Sequence, residues 1–155
     1  MNYEINYFNT LDEFITSNHD NNFTYLLYVG EDCDFDFLKL QKLKITCYGA
    51  IFPEIIFNNK NYKSGLLSYK LPLNSKALII EDISNFKTKT ILKDYASVIA
   101  ILDGLSPYIS YFLEQLFESL DANSELIGGG AGKLTLRQEP IIFNNNGVFQ
   151  DAALL

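Results

Sequence analysis

Hydrophobic residues along this chain come in short blocks, some alternating with polar ones and some recurring at three- and four-residue spacing. Residues 3–8 alternate and predict a first strand. After Thr10, the residues Leu11, Phe14 and Ile15 share a short helical face. Asp12 and Glu13 fall in its first turn, where the helix dipole favours acids. A polar break over 17–22 holds the chain's one histidine, His19. Residues 23–29 run apolar without alternation up to Gly30, and their aromatic and branched content predicts a buried strand. Residues 37–43 suit a helical turn, 44–49 (KITCYG) a strand passing into a loop, and 51–57 an apolar stretch interrupted by Pro53. Residues 62–71 and 76–83 read as antiparallel neighbours joined by 72–75. A short helix is expected over 87–95, and a second buried strand over 96–102, closed by Asp103 and Gly104.

The best-defined helix is 106–121. Ser106 suits an N-cap and Pro107 the first helical position, where a missing N–H is harmless. Ile109, Phe112, Leu113, Leu116, Phe117 and Leu120 then form an apolar stripe, with Glu114, Gln115, Glu118 and Ser119 opposite. Strands outnumber helices, and several are joined too tightly for a crossover helix. The expected class is therefore α+β: a mixed, largely antiparallel sheet with a few helices packed on it. No internal repeat and no dividing linker is visible, so residues 1–155 are expected to form one domain with a single core.

The stretch 124–155 packs four of the nine glycines, Gly128, Gly129, Gly130 and Gly132, into five residues, ahead of two strand-like runs separated by Asn144, Asn145, Asn146 and Gly147. Glycines this close together signal either backbone that must bend or backbone that something must approach without a Cβ in the way. The phosphate-loop pattern fails, because it would need glycine at Ile127 and a hydroxyl at Leu134. The dinucleotide pattern fails because it would need glycine at Lys133. The cluster Asp32, Cys33, Asp34, Phe35, Asp36 begins like a calcium loop, but Phe37 and Leu43 stand where glycine and glutamate belong. Cys33 and Cys47 with one histidine cannot complete a zinc set, and the two cysteines read as free thiols. No serine lies in a nucleophile-elbow pattern, so no catalytic residue is named, and no metal or cofactor is expected. The fifteen asparagines look like composition bias and weaken any argument from one of them.

A net charge of −7, with scattered lysines, gives no positive face for nucleic acid or for an anionic membrane. No secretory leader is seen at the N-terminus, and no apolar run approaches the ~20 residues of a membrane span. A soluble, cytoplasmic protein is the expectation.

From Ile127 onward, IGGGAGKLTLRQEPIIFNNNGVFQDAALL resembles the N-terminal module of the FIST domain, a bacterial sensory family of intracellular signal transduction. The glycine turn, the strand at 141–143, the turn at Asn146 and Gly147 and the strand at 148–154 carry the likeness. The strand 98–102 with helix 106–120, and the earlier loop Ile45, Thr46, Cys47, Tyr48, Gly49, Ala50, extend it. Lys133 stands where the family carries an acid. Family members continue into a C-terminal module, so the resemblance implies that this sequence is one half, cut or free-standing. It also implies a small-molecule ligand, with amino acids or related metabolites proposed. A haem-sensing branch would have only His19 to use as an axial ligand.

The leading expectation is a non-enzymatic ligand-sensing module. In it the amides of Gly128, Gly129, Gly130, Ala131 and Gly132, helped by Lys133, hold a carboxylate or other anion. A loop containing Thr46, Cys47 and Gly49 forms the facing wall. The alternative for the glycines is a tight bend or bulge. The alternative for the protein is an interaction module that couples to a signalling kinase or cyclase through an apolar patch over 51–57.

Overall fold

The computed structural model describes residues 4–17, 19–87 and 90–155. The first half of the chain lays down β1 (Ile5–Phe8), α1 (Leu11–Thr16), β2 (Thr24–Gly30), α2 (Phe37–Gln41), β3 (Thr46–Phe52), a hairpin of β4 (Ile55–Phe57) and β5 (Lys60–Tyr62), and β6 (Leu66–Lys70). The second half lays down β7 (Ile79–Ile80), β8 (Ser97–Asp103), α3 (Ile109–Ser119), β9 (Glu125–Ala131), a hairpin of β10 (Ile142–Asn144) and β11 (Gly147–Phe149), and β12 (Ala153–Leu154). Two short 3-10 turns, Ile83–Asn85 and Thr90–Asp94, lie between β7 and β8.

The two halves share one plan. The first gives the strand order β1-β6-β2-β3 and the second β7-β12-β8-β9. Within each, one parallel pair is joined across a helix, β2 with β3 and β8 with β9, and the other pairings are antiparallel. The parallel ladders begin at Thr24↔Thr46 and Ser97↔Glu125, so Leu27↔Gly49 and Ala100↔Gly128 stand on matching rungs. A repeat of topology is therefore present where none was expected. Its one clear sequence trace is IIFNN, at 55–59 and again at 141–145, each opening the hairpin of its half. The halves diverge at these hairpins: β10 leaves its own half and pairs with β3, adding itself and β11 to the first sheet. The expected α+β class, with sheets largely antiparallel, is the observed one.

Continuous apolar strands result from burial on both faces. Leu27, Val29 and Cys47 turn outward to Leu11, Phe14 and Leu40 of α1 and α2. Ala100 and Leu102 turn outward to Phe112 and Leu116 of α3. Between the sheets, Leu26, Ala50 and Ile142 meet Ile101, Ala131 and Leu154. Burial of each such side chain contributes about 1.5–3 kcal/mol for the larger ones.

Several boundaries differ from expectation. Helix α3 begins at Ile109 rather than at 106, with no side-chain cap at Tyr108; Ser106 Oγ accepts from Tyr108 N at 3.3 Å and donates to Asp151 Oδ1 at 2.6 Å, so it holds the turn that leads into the helix. Phe117 lies 61% exposed, off the buried stripe, whereas Ser119, expected on the polar face, is fully buried beside Phe112 and Leu116 with its hydroxyl donating to Gln115 O at 2.7 Å. The stretches 62–71 and 76–83 are not paired. β6 lies between β1 and β2, and residues 71–78 carry the chain across to β7 in the other sheet. The helix expected over 87–95 reduces, within the described residues, to the 3-10 turn Thr90–Asp94; residues 88 and 89 lie outside them, as does Tyr3 of the first strand.

Candidate functional site

The glycine run forms strand β9 rather than a turn. In a parallel ladder alternate residues direct both N–H and C=O to the same neighbour. Glu125 N donates to Ala96 O at 2.8 Å, which assigns 125, 127, 129 and 131 to β8 and leaves Leu126, Gly128 and Gly130 facing outward. Amides on one side of a strand are therefore two residues, about 6.6 Å, apart and point in parallel. They do not converge on a common point as an anion cradle requires. Gly132 N is already committed to Ile51 O at 2.9 Å, Ala131 is buried between the sheets, and Lys133 Nζ pairs with Glu139 Oε2 at 3.1 Å.

The glycines have separate tasks. A Cβ on Gly128 would overlap the Ala100 carbonyl oxygen, and one on Gly130 would press on Gly104 Cα at 2.9 Å. A Cβ on Gly129 would meet nothing within 4 Å. Close strand approach thus accounts for Gly128 and Gly130, while Gly129 borders open space.

Thr46, Cys47 and Gly49 are not in a loop. They belong to β3, which has β2 on one side and β10 on the other. Thr46 is exposed, Cys47 is fully buried, and Gly49 is packed between Leu27 and Phe143. Cys47 N donates to Asn145 Oδ1 at 2.7 Å, and burial pushes the thiol up to about 12. The end of β3 that reaches the glycine strand is Ile51, about 16 Å along the strand from Thr46 at 3.3 Å per residue. Thr46 and Cys47 are thus held away from the glycine strand, while Gly49 lies two residues, about 6.6 Å, from the end of β3 that reaches it.

Other polar groups are tied into the frame. Asp103, 1% exposed, accepts from Leu105 N at 3.1 Å and Asp151 N at 2.9 Å. Asp151, at φ 51°, accepts from Ser106 Oγ and from Gln138 Nε2 at 2.7 Å. Glu31 Oε2 accepts from Leu134 N at 2.7 Å, joining the end of β2 to the chain after β9. Asn145 Nδ2 donates to Leu40 O and Ile45 O, both at 3.2 Å. Sequence reasoning missed these roles. Only the helix-start context of Asp103 and Ser106 offered a local signal.

Two hollows stand out among the described residues. One, of about 510 Å³, is polar and lined by Glu4, Asn6, His19, Asp20, Ser68 and Lys70 among others. In it the His19 ring lies against Phe14 and Tyr25, and Nε2 faces Ser17 Oγ and the Phe14 carbonyl. The other, of about 490 Å³, is mainly apolar. It lies between the 71–78 connection and strands β8 and β12, lined by Leu26, Leu71, Ala77, Leu78, Ile99, Ile101 and Leu154, with Asn74, Ser75, Lys76 and Tyr95 also contributing. The glycine run lines neither. Among the described residues no group of three His, Cys, Asp or Glu is arranged to hold a metal, and no helix is long and apolar enough to cross a membrane.

The FIST N domain matches residues 39–155, and the chain belongs to that family, whose members are sensory domains of signal transduction. No curated protein and no solved structure matches it significantly.

Proposed function

We propose that this chain is the ligand-sensing module of a bacterial cytoplasmic signalling protein, and that its ligand is a small metabolite of the amino-acid kind held in the hollow beside β8 and β12. That hollow carries the reading. Its volume, about 490 Å³, lies in the range of small-molecule sites, and an apolar wall with a few polar groups is the usual composition of one. Leu26, Ile99 and Ile101 would take the apolar body, and Asn74, Ser75 and Lys76 the charged end. The glycine run supports the site from behind, since it lets β9 lie close against β8. The module acts by binding without turnover. Cys47 is buried and held neutral, and the oxygens of Asp103 are engaged by backbone amides, so neither is a free nucleophile or base.

Thermal unfolding against a panel of amino acids and short organic acids tests this. A ligand at 100 times its Kd adds about 2.7 kcal/mol of stability. For this size that is a rise of roughly 5–10 °C. Ala77→Trp, which fills the hollow, should fold and abolish the rise. A folded protein that responds to no member of the panel, or a rise that survives Ala77→Trp, overturns the proposal.

A further inference from the structure

We infer that β9 pairs antiparallel with β9 of a second copy about a two-fold axis at Gly128, joining two four-stranded sheets into one. The repeat supplies the precedent. On the rung that matches Gly128, Gly49 of β3 has a strand on its outer side: β10 runs antiparallel to it with Phe143 opposite, and the Phe143 ring takes the space a side chain at Gly49 would fill. β9 has no such neighbour among the described residues. It is seven residues long and unbroken, without the lysine, proline or bulge that usually protects an edge. Ile127 stands 71% exposed, and beside it the space over Gly129 is empty.

The order of residues in β9 selects its own copy as the occupant. With the axis at Gly128, the outward-facing residues meet one another: Leu126 with Gly130 of the second copy, and Gly128 with its equivalent. All their free amides and carbonyls find partners. On the opposite face Ile127 lies across from Gly129 of the second copy, so a large side chain covers bare backbone twice, once for each copy. A large residue across from an edge glycine stabilises a ladder in this way. Glu125, the one charge in the strand, comes to lie diagonal to Lys133 of the second copy. This inference is independent of the ligand proposal.

Sedimentation equilibrium on the whole chain tests it. The wild type should be a dimer at about 100 µM, and Ile127→Lys should weaken association at least tenfold while leaving the melting temperature unchanged at dilutions where both are monomers, because the side chain is exposed in the monomer. In a Cys33→Ser background, Ile127→Cys with Gly129→Cys should form a covalent dimer on oxidation, since such antiparallel positions bring Cα atoms to about 4.5 Å. A wild type that stays monomeric, leaving the edge to a strand of another protein, overturns the inference. So does a dimer that survives Ile127→Lys, or one that does not cross-link.

Discussion

Phe143 lies directly across the ladder from Gly49, with its ring 2.5 Å from where a Cβ on Gly49 would stand. One residue is bare because the other is large, and the contact fastens a hairpin of the second half to a strand of the first. Phe143→Ala should cost about 3–5 kcal/mol by leaving a cavity, and Gly49→Ala about 1–3 kcal/mol or more by overpacking. Urea unfolding of both variants checks this. Equal stability of Gly49→Ala and wild type would contradict the packing described.

Gly128 and Gly129 are neighbours with opposite tolerance. Gly128→Ala would drive a methyl into the Ala100 carbonyl and should force the strands apart, with a loss of about 2 kcal/mol or more. Gly129→Ala points into open space and should change stability by no more than about 0.5–1 kcal/mol, in the stabilising direction if the unfolded chain loses freedom. Paired melting curves decide the matter, and equal losses at the two sites would refute the register.

Cys47 makes stability depend on alkaline pH. Burial raises its thiol to about 12, well above that of an unfolded cysteine. The folded state therefore keeps a proton that the unfolded state releases. The neutral thiol's contribution is complete below the unfolded value, near 9, and is lost as pH rises towards the folded one. The slope from this group is about −1.4 kcal/mol per pH unit across that window. Cys47→Ala should flatten it, whatever packing it loses. Native Cys47 should also resist alkylation at pH 8, whereas half-buried Cys33 should react slowly.

Asn145 holds together three parts of the first sheet's margin. Its side chain accepts from Cys47 N and donates to the carbonyls of Leu40 and Ile45, at the end of α2 and just before β3. Asn145→Ala should cost about 2–3 kcal/mol by stranding those groups, whereas exposed Asn146→Ala should be within about 0.5 kcal/mol of wild type. Equal losses would show that the turn, not the side chain, is what matters.

Local patterns and tertiary structure divided the information in this protein along physical lines. The buried strands near 23–29 and 96–102, the stripe of α3 and the turn between 144 and 147 were written locally, whereas the single strand expected over 148–154 divides into β11 and β12 in different sheets. A helix face and a strand facing two layers each leave their own periodicity, and a two-residue turn has its own residues. Partnership was not written locally. β6 and β7 look like two arms of one hairpin, yet each satisfies its backbone in a different sheet, because a strand's hydrogen bonds name no partner. The same holds for glycine. Bareness for a bend and bareness for a neighbour's carbonyl are identical in one letter, and only Ala100 lying against Gly128 distinguished them. The repeat escaped for a related reason: strand order is preserved by packing while the side chains that achieve it change, leaving IIFNN as the trace in the sequence of two halves built alike.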